Sequence, residues 1–237
     1  MDCFKKLVVP IGLTVWLASS LCAPPVMAEQ VSSLLRQGLP GRRISGGSRS
    51  DCMAGSSPIV ALSSTTNLNK TTNEQVSLYF IVPALERNYP LRFSLRDSMG
   101  NRVHEALLNT AENQGTVGIQ LPKDTLQTDQ DYRWYLSVVC DTQDPSQNDV
   151  LSGWIRQVGT STAIELGETL HTEVYSVEAG LTLANRYQEA ELWGDAIATM
   201  VALREQFPQD DSLYQAWNQL LQTLELESVV SPSIASR

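Results

Sequence analysis

Cysteine spacing is the most constraining chemistry in this chain of 237 residues. Of its four cysteines, Cys3 and Cys22 lie in an N-terminal stretch built like a secretory signal peptide. Lys5 and Lys6 lead, Leu7 to Ala23 is mostly apolar, and Val26-Met-Ala28 puts small or modest residues three and one places before a cut. Cleavage after Ala28 is expected, giving a signal peptide over 1–28. The apolar run is short for a bilayer span and is broken by Pro10 and Gly12, which disfavours an uncleaved anchor. Ser19-Ser-Leu21 before Cys22 is a poor lipid-attachment signal. Export leaves Cys52 and Cys140, and an even pair in an oxidising compartment predicts a disulfide between them. Zinc is the weaker reading, because a structural site wants four ligands and only His104 and His171 remain to add. Closing a loop of roughly 90 residues would contribute roughly 4 kcal/mol on the chain-entropy account.

The same two histidines are the only imidazole bases open to a serine or cysteine hydrolase. His104 falls on an expected strand and His171 near an expected helix end, both ordinary surface positions. No Gly-x-Ser-x-Gly elbow, Walker loop, dinucleotide fingerprint, His-Glu-x-x-His pair or EF-hand loop is present. No catalytic residue, metal ligand or cofactor is therefore assigned. Asp141, Asp144 and Asp149 could offer oxygen ligands to calcium, but their spacing matches no calcium loop and their neighbours are those of an exposed turn. A carboxylate pair for glycoside hydrolysis has no positional signal here, since its separation belongs to the fold. Tyr132, Trp134, Tyr135 and Trp154 could stack on sugar rings if some face outward; at strand spacing, Trp134 and Trp154 suit a core better.

Charge adds one positive feature. Loss of Asp2, Lys5 and Lys6 with the signal moves the net charge from −9 to −10, which with export argues against a nucleic-acid partner. Within this acidic chain Arg42, Arg43 and Arg49 are the densest positive charge, while from Thr160 onward three arginines stand against twelve carboxylates. The arginines have two readings. They pair internally with acidic side chains or backbone carbonyls, with glycines allowing a tight path; or, with exposed backbone N–H groups, they form an anion-binding site for an envelope polymer.

Residues 29–57 hold these arginines in a Gly/Arg-rich lead-in segment, with glycines at 38, 41, 46 and 47 that preclude a regular helix. Over 58–159 short β-rich runs recur between turn signals: Ile59 to Leu62, Val76 to Val82, Leu91 to Arg96, Arg102 to Leu108, Thr116 to Leu121, Asp131 to Cys140 and Val150 to Val158. In the sixth run Tyr132, Trp134, Leu136, Val138 and Cys140 oppose Arg133, Tyr135, Ser137 and Val139, the period of a strand with one face in a core. It pairs with the seventh run across a long loop, and Asp97-Ser-Met-Gly-Asn101 turns the third run into the fourth. Seven such strands predict an antiparallel, immunoglobulin-like β-sandwich, with a closed barrel as the alternative.

After Gly159 the apolar spacing lengthens to that of helices, so 160–237 is expected to be an acidic helical region. Stripes run Val177 to Tyr187, Trp193 to Phe207 and Leu213 to Leu224, and a further helix is expected over Ala163 to Leu170. Tyr187, Ala196 and Pro208 fall at the spacing of a tetratricopeptide-type helical hairpin, although Ala184 replaces that repeat's glycine. The fold class expected is thus α+β: a sandwich followed by a small helical region.

The ordered set Gly38-Leu-Pro-Gly-Arg-Arg43, Gly46-Gly-Ser-Arg49, Cys52, the Tyr-Arg-Trp-Tyr strand ending in Cys140, Gly153-Trp-Ile-Arg156 and Trp193-Gly-Asp-Ala-Ile197 resembles the cyanobacterial family catalogued as domain of unknown function 928. The likeness runs from about Arg36 to Val230. It implies an exported cyanobacterial protein and no particular reaction. Taken with the composition, the expectation is a periplasmic or secreted non-catalytic binding or envelope-associated module of unknown ligand, with an anionic envelope polymer or another envelope protein as the candidate partners. The alternative is a hydrolase of cell-wall or exported polysaccharide. No second apolar run is long enough to span a membrane in the mature chain.

Overall fold

The computed structural model describes residues 39–45, 57–85, 87–159 and 176–230. The expected signal peptide, the helix over 163–170, and Arg49, Cys52 and His171 lie outside the described residues.

The protein is α+β, with two mostly antiparallel sheets followed by three helices. Strands β1 (Val60–Ala61), β3 (Ser77–Val82) and β6 (Gly115–Gln120) form one sheet in the order β1-β3-β6. The other holds β2 (Leu68–Thr71), β4 (Pro90–Arg96), β5 (Arg102–Asn109), β7 (Asp131–Val138) and β8 (Asp149–Gln157) in the order β2-β8-β7-β4-β5. Two separate sheets replace the closed barrel held as the alternative.

Alternation explains why β7 is central to the larger sheet. Its even-numbered side chains Tyr132, Trp134, Leu136 and Val138 are buried, while its odd ones remain half-exposed. Phe80 of β3 meets Trp134 edge to face at 5.5 Å and Phe93 of β4 at 6.5 Å, so one core is filled from both sheets. The expected hairpins are present. Asp97 Oδ1 accepts from the N–H groups of Met99 and Asn101, Gly100 takes a positive φ of 84°, and β4 returns as β5. Across the long loop β7 pairs β8, and a 3-10 turn over Pro145–Gln147, capped by Asp144, lies between them.

Two features differ from the sequence reading. Strand β2 falls in a Thr/Asn/Lys-rich stretch without an apolar run and was not expected; it pairs β8 in parallel, which local alternation does not reveal. Strand β7 ends at Val138, before Cys140, and β1 keeps only Val60 and Ala61 of the expected run.

Helices α1 (Val177–Glu189), α2 (Trp193–Gln206) and α3 (Asp211–Thr223) match the three apolar stripes. Ser176 Oγ accepts from Ala179 N–H and Asp210 Oδ1 from Ser212 N–H, capping α1 and α3. Ile197, Met200, Trp217 and Leu221 pack on Val60, Leu62 and Ile81, which covers the outer face of the smaller sheet. The smaller sheet is thus packed on both faces, whereas no described helix covers the outer face of the larger one.

Candidate functional site

Residues 39–45 explain where two of the lead-in arginines go. Arg42 exchanges backbone hydrogen bonds with Ser152 of β8, both 2.9 Å, while Ala61 N–H donates to Arg43 O at 2.7 Å and Ser45 N–H to Ile59 O at 2.9 Å. Four residues therefore strap one sheet to the other. Arg42 donates through Nε to Val150 O and pairs with Asp149, a carboxylate buried to 2 % exposure. Arg43 donates to Ser63 O at 2.9 Å and to Leu224 O at 2.7 Å, joining the strap to the end of α3. Burial lowers the Arg43 guanidinium below its ordinary pKa, with Glu225 opposing. Both side chains thus have protein partners of the kind the internal reading named. Trp154 Nε1 donates to Pro40 O at 3.0 Å, and Asn67 Nδ2 to Leu39 O and Ser152 O. A Cβ on Gly41 or Gly153 would lie 2.0 Å and 2.4 Å from Asn67 side-chain atoms, so only glycine fits on either side of that amide.

A second joint lies at the start of α2. Asp195, 4 % exposed, accepts from Thr71 Oγ1 at 2.5 Å, Thr72 N–H at 2.7 Å and Thr72 Oγ1 at 2.9 Å. Desolvation raises its carboxyl pKa against the lowering effect of those bonds. Tyr187 is packed nearby, and its phenol is pushed well up by burial and then by the Asp195 charge.

The three loop aspartates do not converge. Asp149 turns to Arg42, Asp144 Oδ1 accepts from Ser146 N–H and Oγ, and Asp141 Oδ1 accepts from Gln143 N–H. Among the described residues no group of three His, Cys, Asp or Glu side chains could hold a metal ion. His104 sits half-exposed on β5 with its ring 6.2 Å from Phe93. Cys140 is packed against the core next to the end of β7.

The four aromatic candidates divide two and two. Tyr132 and Trp134 are core residues, at 3 % and 1 % exposure. Trp154 is not, which corrects the sequence reading: the β7–β8 register pairs it with Arg133 and sets Gly153 against Trp134, so the two tryptophans occupy opposite faces of the sheet. Tyr135 and Trp154 therefore share the outer face.

That face is a lattice of outward side chains. One cross-strand row reads Leu107, Arg92, Ser137, Val150; the next reads Glu105, Ser94, Tyr135, Ser152; the third reads Arg102, Arg96, Arg133, Trp154. Neighbouring strands lie about 4.8 Å apart, so the third row holds three guanidinium-bearing side chains within about 10 Å of backbone. Like charges directly opposite one another destabilise a sheet. Arg102 is paired with Glu105 at 2.7 Å, and below the lattice Arg156 makes a bidentate pair with Asp131 at 2.7 and 2.8 Å. Among the described residues no carboxylate pairs with Arg96 or Arg133. Arg133 lies instead 5.0 Å from the centre of the Tyr135 ring and 5.4 Å from that of Trp154, and its buried Nε has no hydrogen-bond partner. Exposed Val103, Leu107 and Val150 lie on the same side, and Met99 on the β4–β5 turn. Arg92, Arg96, Arg102 and Arg133 were not singled out from sequence. The signal was there for Arg92, Arg96 and Arg133, which lie at outward positions of alternating strands, whereas Arg102, next to outward Val103, is brought opposite Arg96 only by an irregularity in the β4–β5 register at Leu95 and Arg96; the adjacency of all four depends on register.

A separate concavity of about 420 Å³ lies between the start of β6 and the α2–α3 turn, lined by Thr116, Arg204, Phe207, Asp211 and Tyr214 among others. Its guanidinium, on Arg204, stacks on Trp217 at 4.4 Å.

These joints coincide with the ordered motifs of the chain: Leu39 to Arg43 meets Gly153-Trp154, and Trp193-Gly-Asp195 meets the end of β2. The chain belongs to the family described as Domain of Unknown Function (DUF928), which it matches over residues 44–234. A comparison with curated proteins returns no match.

Proposed function

We propose that the protein is an exported, non-catalytic binding module that takes an anionic envelope polymer on the outer face of its larger sheet. The observation that carries this reading is the row Arg102, Arg96, Arg133: three like charges side by side on an otherwise acidic chain, two of them without a carboxylate partner among the described residues. Such an arrangement is unfavourable unless an anion sits over it. Charge contrast with the rest of the molecule orients the approach of a polyanion and makes the encounter salt-dependent. On this reading Arg42 and Arg43 serve the scaffold rather than the ligand. In the same proposal the two sheets, sharing one core, form an immunoglobulin-like sandwich, and α1–α2 a tetratricopeptide-like hairpin lying beside it. The chain is delivered to the periplasm or beyond by cleavage after Ala28.

The test is titration of the mature protein, residues 29–237, with an immobilised acidic polysaccharide at several salt concentrations. Saturable binding that weakens with salt is expected, with a loss of about tenfold or more in the Arg96→Gln/Arg133→Gln variant. The melting temperature of that variant should hold or rise, because removing adjacent like charges relieves repulsion. Absence of binding at low salt would sink the proposal, and release of new chain ends would replace it with the hydrolase reading.

A further inference from the structure

The outer face carries more than charge, and resting on the reading above we infer that its ligand is a polyanion built of rings: an acidic polysaccharide rather than a flexible acidic chain. Tyr135 and Trp154 stand beside the arginine row and share Arg133 between them, at 5.0 and 5.4 Å. That three-membered stack is fixed from two sides. The register of β7 on β8 holds Arg133 opposite Trp154, and the indole N–H of Trp154 is tied to Pro40 O, at 3.0 Å, in the strap. The rings are therefore placed before any ligand arrives, which lowers the ordering cost of binding. Arg133 lies over both rings, so the three form one half-exposed stacked platform at the edge of the lattice.

Around the platform the lattice alternates chemistry at a polymer's scale. Arg96 and Arg102 continue its row across the sheet, and Arg92 stands two rows away on β4, about 13 Å from Arg96 along the strand. Ser94 and Ser137 put hydroxyls between those cations. A sugar polymer with acid groups places rings, hydroxyls and carboxylates or sulfates on one strand, and each finds its counterpart here: ring on platform, hydroxyl on serine, acid group on arginine. A polyanion without rings uses the arginines and leaves the two aromatic rings without a partner. The strap covers the face only at its Ser152 and Trp154 edge, and the charge of the face is opposite to that of the chain as a whole.

Two carboxylate polymers separate the possibilities at matched charge density: polygalacturonate, which carries rings, and polyglutamate, which does not. Polygalacturonate should bind the mature protein about tenfold more tightly than polyglutamate at the same salt concentration. Tyr135→Ser should reduce that ratio toward one by weakening polygalacturonate far more than polyglutamate, and it avoids the strap contact that Trp154 makes. Arg96→Gln/Arg133→Gln should weaken both polymers together. Equal affinity for the two polymers, or a Tyr135→Ser variant with an undiminished ratio, overturns the ring inference and leaves anion binding standing. Binding of neither overturns both.

Discussion

Replacing Asp195 tests whether the helices are latched to the sheets through one buried carboxylate. The side chain takes three hydrogen bonds, from both Thr71 and Thr72 hydroxyls and the Thr72 N–H, and is 4 % exposed. In Asp195→Ala all three donors lose their acceptor, and the two hydroxyls and the amide must find others or go unsatisfied. Hydrogen bonds to a charged acceptor contribute about 1.5–3 kcal/mol each, but the carboxylate's desolvation cost is recovered, which leaves a net loss of about 3 kcal/mol. For a chain of this size that is about 6–12 °C in melting temperature. Asp195→Asn keeps the shape: its Oδ1 still accepts from Thr72 and its Nδ2 can donate to Thr71 Oγ1, so the loss should be about 1 kcal/mol. The pH dependence separates charge from shape. Because burial raises the folded-state pKa above the ordinary 3.8, the folded protein holds this proton more tightly than the unfolded chain does. The stability linked to this proton is then fully present below the ordinary pKa and is lost as pH rises through the folded value, while the hydrogen bonds to the charged form remain at neutral pH. Chemical denaturation of wild type and Asp195→Asn from neutral to mildly acidic pH should show the wild type gaining on the variant as pH falls. A flat or opposite trend, or an Asp195→Ala variant within about 0.5 kcal/mol of wild type, would refute the latch.

Two further outcomes test the joints. Arg42→Gln strips the buried Asp149 of its guanidinium and should cost about 2 kcal/mol, less than a fully buried pair because Arg42 is 42 % exposed; adding Asp149→Asn should restore part of it, and a denaturant double-mutant cycle with no coupling would dismiss the clamp. Mass spectrometry of the exported protein should find Cys52 and Cys140 in one linked peptide pair, with reduction costing roughly 4 kcal/mol of stability, whereas two free thiols would end the disulfide proposal.

The parts of the fold that were legible in sequence are those written in local periodicity. The alternation of β7 and the apolar stripes of α1 to α3 follow from burial of one face, and each is decided within a dozen neighbouring residues. Strand β2 escaped because Leu68-Asn-Lys-Thr71 has no such signature; it is a strand because β8 offers it a parallel edge far along the chain. Trp154 escaped for a related reason. Its residue type argues for a core, and only the pairing of β7 with β8 decides that Trp134 looks inward and Trp154 outward. The arginine row has the same origin, since Arg96, Arg102 and Arg133 are scattered in sequence and adjacent only in register.

Register also separates what holds the molecule together from what it offers to a partner. The motif residues on which the family resemblance rests are largely consumed in internal contacts: Pro40 accepts from Trp154, Gly41 and Gly153 flank Asn67, Arg43 reaches Leu224, and Asp195 holds Thr71 and Thr72. The candidate surface is built of outward residues on β4, β5 and β7, whose side chains are largely free of that framework. Arg92 reaches only an exposed Glu105, at 3.9 Å, and Arg96 only the neighbouring Gly100 O. Surface ion pairs of this kind contribute little to stability. A change among these arginines therefore alters charge and leaves the scaffold intact, whereas a change in the strap or the latch alters the scaffold and reaches the face only by loosening Trp154. Trp154 is where the two sets meet, because one side of its ring belongs to the platform and its N–H belongs to the strap.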